Sequence, residues 1–507
     1  MKAMLKNRST LLLIGLLVLA FGLRLAAALA APLTYDEAFS ILISGEGAQG
    51  IITATLSMDE PSLSADIHPP AYYLLLNGWM RLFGNGVMAA RLLSILLGMA
   101  GLFCLYLLIK ELINEQTALW AGLIMALLPF EVHYATDIRM YSLLQALLLL
   151  ATLAFVKGLK GRTWVWWPLF ALSAAAAQYT HNLAAFYLVP LAATALFKRD
   201  KKAVRNTLLA GLGALLLYTP WLIHIPAQFS KVQAHYWIER PTLVAFVDLL
   251  LRFTTNLPLP SAWLLPGMLV AFLAVALPAY QTIKAARQKL PGYRAGLWLA
   301  WMSILPPLSL WLFSQWTPVY VERGLLASHA LFCAWLAWAL ARSGMPRAIR
   351  FVVAGLLVFA AGLGLQQLLT NNGYGGDPLK AITAEIQAGL QPGDRVVHSN
   401  KLSYLPMFYF DPTLPMNYVT DVPGGSTDTL SVSTRRVLGL NAADDIRSAL
   451  EGSDRVWFVI YQKSIDEYLE AGYETHADLI YLSQHYRLLG QSDFGGILLV
   501  EFEKAAQ

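Results

Sequence analysis

Long apolar runs broken by short polar gaps dominate the first 370 residues of the chain. Runs of about 15–22 residues recur at 10–30, 88–109, 117–132, 141–156, 165–180, 182–197, 207–225, 262–282, 295–314, 325–341 and 350–369. A helix of about 20 apolar residues crosses a bilayer core of roughly 30 Å. The pattern therefore predicts a polytopic α-helical membrane protein with about eleven transmembrane helices. The stretch Ala71 to Phe83 is apolar but too short to span before Gly84-Asn85-Gly86. It predicts an interfacial helix with Tyr72, Tyr73 and Trp79 near the headgroups.

Beyond residue 370 the pattern changes. Asn371 to Pro378 reads as a linker by its turn residues. Helices are predicted over Lys380–Leu390 and Ala443–Glu451 and through most of Ile465–His485. Strands are predicted over Arg395–His398, Arg455–Tyr461 and Gly496–Phe502, giving a small α/β domain. The organisation is thus 1–370 in the membrane, with a first outer loop over 31–87, and 371–507 in a soluble domain.

Composition agrees: 57% of the residues are hydrophobic and 14% charged, against about 25% charged in soluble chains. The net charge of +5 calls for no nucleic-acid partner, because the basic residues cluster between apolar runs as orientation signals do. These clusters are Lys157, Lys160 and Arg162; Lys198, Arg199, Lys201, Lys202 and Arg205; Lys284, Arg287, Lys289 and Arg294; and Arg342, Arg347 and Arg350. With the N-terminus cytoplasmic, every cluster falls inside and span parity puts the C-terminal domain outside. The N-terminal run resembles a signal peptide but is long enough to be retained as a span; cleavage near Ala28 to Ala31 is the alternative. Cys104 and Cys333 both lie within apolar runs, which argues against a disulfide framework.

The charged residues at the outer ends of the spans carry the candidate chemistry, since ionisable groups near a membrane core are expensive. Asp36 and Glu37 follow the first span directly, where they can also serve as a helix cap. His68 stands before Pro69-Pro70, where it can equally hydrogen-bond a backbone carbonyl. Asp137, Arg139 and Tyr141 precede the fourth span, as a possible surface pair and tyrosine belt. His181 sits in a tight polar turn after Tyr179-Thr180. Arg323 opens a span, where it can snorkel as an anchor or clamp an anion. The loop 226–261 holds Lys231, His235, Tyr236, Trp237, Glu239 and Arg240, which line a groove or form plain surface. Asp36, Glu37 and His68 could together hold a divalent cation.

The set Tyr35-Asp36-Glu37-Ala38, His68-Pro69-Pro70-Ala71-Tyr72-Tyr73, Arg139-Met140-Tyr141 and Tyr179-Thr180-His181 resembles the GT-C glycosyltransferases. More narrowly, it resembles glycosyltransferase family 39, the dolichyl-phosphate-mannose–protein mannosyltransferase-like group, to which lipid A aminoarabinose transferase is related. The resemblance spans about residues 10 to 370. It implies a GT-C fold in a bacterial cytoplasmic (inner) membrane and a polyprenyl-phosphate-linked sugar as donor. The acceptor would be a lipid, glycan or protein hydroxyl, and the reaction would need no cofactor. It also implies an acid in the first outer loop that acts on the acceptor: Asp36, with Glu37 beside it. His68, Arg139, Tyr141, His181 and Arg323 are then expected to bind the donor phosphate or sugar. Two other readings stay open: an oligosaccharide ligase using a diphosphate-linked donor, and a transporter or flippase of lipid-linked glycans. The basic loops show no glycine-rich phosphate loop of the kind a nucleotide-sugar enzyme would need.

Overall fold

A computed structural model describes residues 2–56, 68–161, 163–228, 238–341, 346–370, 376–420 and 430–504. Asp66, Ile67, Arg162, Lys231, His235, Tyr236, Trp237, Arg342 and the linker residues 371–375 lie outside the described residues. Each predicted span is built mainly of helix, 117–132 as two helices. Among the described residues seven helices are both long and apolar enough to cross a membrane: Arg8–Ala30, Val87–Leu112, Tyr141–Lys160, Ser261–Arg287, Tyr293–Phe313, Glu322–Ala341 and Arg347–Leu369. The other predicted spans are the shorter or more polar helices Glu115–Leu127, Thr163–Thr180 and Lys201–Leu222, and the segment Asn182–Lys198. That segment is an α-helix flanked by two 3-10 turns.

Two local features shape the end of the bundle. The predicted span 117–132 is broken at Leu128, because Pro129 cannot continue the helix ladder. The chain restarts as a short helix, Pro129–Tyr134, before the loop that leads to Tyr141. The helix Ala71–Phe83 has the predicted boundaries and ends at Gly84, whose φ of 85° suits glycine. At about 1.5 Å per residue it reaches only about 20 Å. It buries Tyr72, Tyr73 and Leu76 and leaves Leu82 and Phe83 exposed. Asn77 and Trp79 tie it to its neighbours by donating to the carbonyls of Ser44 (2.6 Å) and Ala89 (2.7 Å).

Among the described residues the C-terminal domain holds a six-stranded sheet: β1 (Arg395–His398), β2 (Met416–Val419), β3 (Ala442–Ala443), β4 (Arg455–Tyr461), β5 (Tyr486–Asp493) and β6 (Ile497–Lys504). The order is β3-β2-β1-β4-β6-β5. Strands β1 to β4 run parallel, and β6 and β5 add on as an antiparallel pair. Strand β4 is the core of the sheet, with Val456 to Ile460 all buried. The predicted helix Ala443–Glu451 shrinks to Ile446–Ala449, because Ala442 and Ala443 pair with β2 instead.

The domain is fastened to the first loop. Asp377 N-caps the helix Pro378–Gly389 through one carboxylate oxygen. Its other oxygen accepts from the backbone N–H of Leu33 at 2.7 Å. The helix Lys401–Phe410 packs on the helix Tyr35–Gly45, and the Tyr409 hydroxyl donates to the Asn85 carbonyl at 3.0 Å.

A candidate active site at one end of the bundle

The helix Tyr35–Gly45 begins with a capping box: Thr34 Oγ1 accepts from the Glu37 N–H, and Glu37 reaches back to the Thr34 N–H. This cap fixes the directions of the two adjacent acids, and they have different surroundings. Glu37 is buried and paired with Arg91, whose Nε and Nη2 donate to its two oxygens at 2.9 and 2.7 Å. The same guanidinium donates to the carbonyls of Ala28, Ala31 and Pro32 at 2.7–2.8 Å. Arg91 thereby clamps the chain where it leaves the first span. Glu37 also accepts from the backbone N–H of Ile138 at 3.3 Å, which ties this loop to the one carrying Asp137 and Arg139.

Asp36 points elsewhere. Its carboxylate lies 3.2 Å from Arg323 Nη1, and both side chains keep about a quarter to a third of their surface (31% and 25%). The Arg323 guanidinium rests over the Tyr141 ring at 5.3 Å, a cation–π arrangement. The Tyr141 ring lies 6.0 Å from that of His181, which in turn meets His68 edge-on at 4.9 Å. His181 Nδ1 accepts from the Leu183 N–H, so its proton sits on Nε2. Arg139 is buried and donates to Tyr73 Oη (3.3 Å) and, at 3.5 Å, to Ser40 Oγ on the helix that carries Asp36. The structure thus brings Asp36, Arg323, Tyr141, His181 and His68 into one run of contacts, with Glu37 and Arg139 holding the helix behind Asp36.

All these residues lie where helices begin or end on one side of the bundle. Tyr141 starts the helix that Lys157 and Lys160 end. Lys157 and Lys160 therefore stand at the far end of that helix from the candidate site. Among the described residues no three His, Cys, Asp or Glu side chains converge in a metal-ligating group.

Asp137 was legible in the sequence only as half of an Asp137–Arg139 pair. In the structure it lines the site, half-buried beside the two acids of the first loop. Burial, and then the charges of Glu37 and Asp36, push its carboxyl up to about 7, against the pull of Arg139 and Arg323. A carboxyl raised in the folded state stabilises the fold fully below its unfolded value of 3.8, and that contribution is lost as the pH rises through about 7. Stability should therefore fall as pH increases across this window, and Asp137→Asn should flatten the slope. Melting temperatures of both proteins in detergent over that range check this; equal slopes would contradict it.

Arg91 was missed because it stands inside an apolar run, with its partner in a different loop. The available signal was a charge within a predicted span.

A sequence profile described as dolichyl-phosphate-mannose-protein mannosyltransferase matches residues 67–224. That segment holds His68, Arg139, Tyr141 and His181 but neither Asp36 nor Arg323. No curated protein sequence matches the chain significantly. Among solved structures, apo ArnT from Cupriavidus metallidurans superposes with a TM-score of 0.64 at 15% identity, covering 98% of each chain. The same protein bound to undecaprenyl phosphate gives 0.62, again at 15% identity and 98% of each chain. An oligosaccharyltransferase from Archaeoglobus fulgidus, in complex with zinc and sulfate, gives 0.49 at 11% identity over 96% of this chain and 72% of its own. The chain thus shares the fold of ArnT along its whole length and matches the mannosyltransferase profile across its early spans, residues 67–224.

Proposed function

We propose that the chain transfers a sugar from a polyprenyl-phosphate-linked donor to an acceptor hydroxyl at the outer face of a bacterial cytoplasmic membrane, with inversion at the anomeric carbon. The observation that carries this reading is the pairing of Asp36 with Arg323 at 3.2 Å. It sets a carboxylate base beside a fixed cation at the end of the bundle away from Lys157 and Lys160. The undecaprenyl phosphate bound to the Cupriavidus protein of the same fold supports a donor of that class.

Asp36 accepts the proton of the acceptor hydroxyl as its oxygen bonds to the anomeric carbon. The bond from that carbon to the phosphate oxygen breaks, and the lipid phosphate leaves with the electron pair. Arg323 and Arg139 stabilise the charge that develops there, as preorganised cations do. His68, Tyr141 and His181 donate hydrogen bonds to phosphate or sugar. In this reading the Asp36–Arg323 contact belongs to the resting enzyme. A partly exposed pair is worth only about 0–1 kcal/mol, so an arriving phosphate can draw Arg323 away and leave Asp36 to the acceptor. Glu37, committed to Arg91 and to the loop backbones, holds Asp36 in place.

Arg323→Ala should lower kcat/KM by about 10²–10³-fold, the effect of removing one preorganised charge-stabilising group. Arg139→Ala should weaken donor use in the same direction. Steady-state kinetics with varied donor checks both. Unchanged donor KM and turnover would remove the arginine concerned from the site.

A further inference from the structure

Beneath the candidate site lies a fully buried polar cluster that the proposed chemistry does not use. Glu131, on the short helix after the Leu128 break, is 1% exposed, and His329, on the Glu322–Ala341 span, is 0% exposed. His329 Nδ1 lies 2.8 Å from Glu131 Oε1, and His329 Nε2 lies 3.0 Å from the Phe253 carbonyl oxygen. Gln145 Nε2 donates to both Glu131 oxygens at 2.9 Å and to the Leu326 carbonyl at 3.0 Å. The Cys333 sulfur is 3.8 and 4.0 Å from the two ring nitrogens, nearly equidistant, so it competes for neither in-plane direction.

The donor and acceptor count fixes the protonation. A backbone carbonyl only accepts, so Nε2 must carry a proton. A carboxylate also only accepts, so Nδ1 must carry one too unless Glu131 holds the proton itself. Gln145 presents its N–H to both oxygens, which favours charge on Glu131.

We infer that His329 is an imidazolium paired with a Glu131 carboxylate, and that this pair, with Gln145, is a positioning element for the transfer site. The three anchors stand on or beside three of the elements that present site residues. Glu131 precedes the loop of Asp137 and Arg139. Gln145 is one helical turn beyond Tyr141. His329 lies along the span that Arg323 opens. The bonds between them set the spacing of those side chains from below, through groups that touch neither donor nor acceptor. The positioning role rests on the transferase reading; the protonation state does not.

The test uses the full-length protein labelled with 15N-histidine in detergent, with His329→Gln to identify the resonances. The inference predicts both His329 ring nitrogens protonated. A ring with one bare nitrogen overturns it. Transfer kinetics then test the positioning role. In Glu131→Gln the ring is expected to turn neutral, keep Nε2–H on Phe253, and accept from the new amide, so turnover stays near wild type. Glu131→Ala removes the anchor and should lower kcat by about 10²-fold, the cost of a small misplacement of reacting groups, with donor KM less affected. Glu131→Ala with wild-type kcat, or Glu131→Gln as impaired as Glu131→Ala, overturns the positioning role. Should wild type itself fail to transfer, the transferase reading fails while the spectroscopic result stands.

Discussion

Asp36→Asn should cut sugar transfer by about 10²–10⁴-fold, the usual contribution of a positioned general base, and leave the fold intact. The substitution keeps the size of the side chain and its place at the second position of a capped helix, since the capping box is made by Thr34 and Glu37. What it removes is a partly exposed pair with Arg323, worth little to stability. The donor should still bind, because Arg323, Arg139 and the two histidines remain. The expected signature is therefore lost turnover with donor affinity retained and an unchanged melting temperature. Near-wild-type turnover would remove Asp36 from the role of base.

The neighbouring acid should behave in the opposite way. Glu37→Ala leaves the Arg91 guanidinium buried without its counter-charge, although it still holds three carbonyls. Removing one partner of a buried ion pair costs about 3–5 kcal/mol, so this variant should melt well below wild type or fail to accumulate. Thermal unfolding in detergent checks this. A loss under about 1 kcal/mol, the value of an exposed pair, would show that the clamp does not hold the first loop. Two adjacent carboxylates would thus separate cleanly, one affecting turnover and the other stability.

The helices of the membrane part and the short helix Ala71–Phe83 were legible because hydropathy and length decide them. Ala71–Phe83 has its predicted boundaries because Pro70 and Gly84 punctuate it on both sides. Strands β1 and β4 were legible as compact β-branched and aromatic runs. Helix Lys401–Phe410 and strand β2 were not. Pro406 and a scatter of aromatics leave no clear period in the helix, and β2 has only four residues. Strand β5 is an edge strand with mostly exposed side chains, so no buried stripe announces it.

The site divides in the same way. Asp36, Arg139, His181 and Arg323 stand near span ends, and His68 before the short helix Ala71–Phe83, where a charge or a histidine is conspicuous. The Arg91–Glu37 and Glu131–His329 pairs join residues 54 and 198 positions apart. Nothing local in the sequence marks a partner that only tertiary packing supplies. The alternation of basic and non-basic breaks between the apolar runs is plain in the sequence, and in the structure Lys157 and Lys160 sit at the far end of the helix that Tyr141 begins.

The most direct test of the central claim is transfer itself, with purified protein in detergent, a panel of radiolabelled polyprenyl-phosphate sugars, and membrane extract as acceptor source. The account predicts that wild type moves label from at least one monophosphate donor to an acceptor while Asp36→Asn does not. No transfer from any such donor, with both proteins folded, would contradict it and favour a ligase acting on a diphosphate-linked donor or a transporter of lipid-linked glycans.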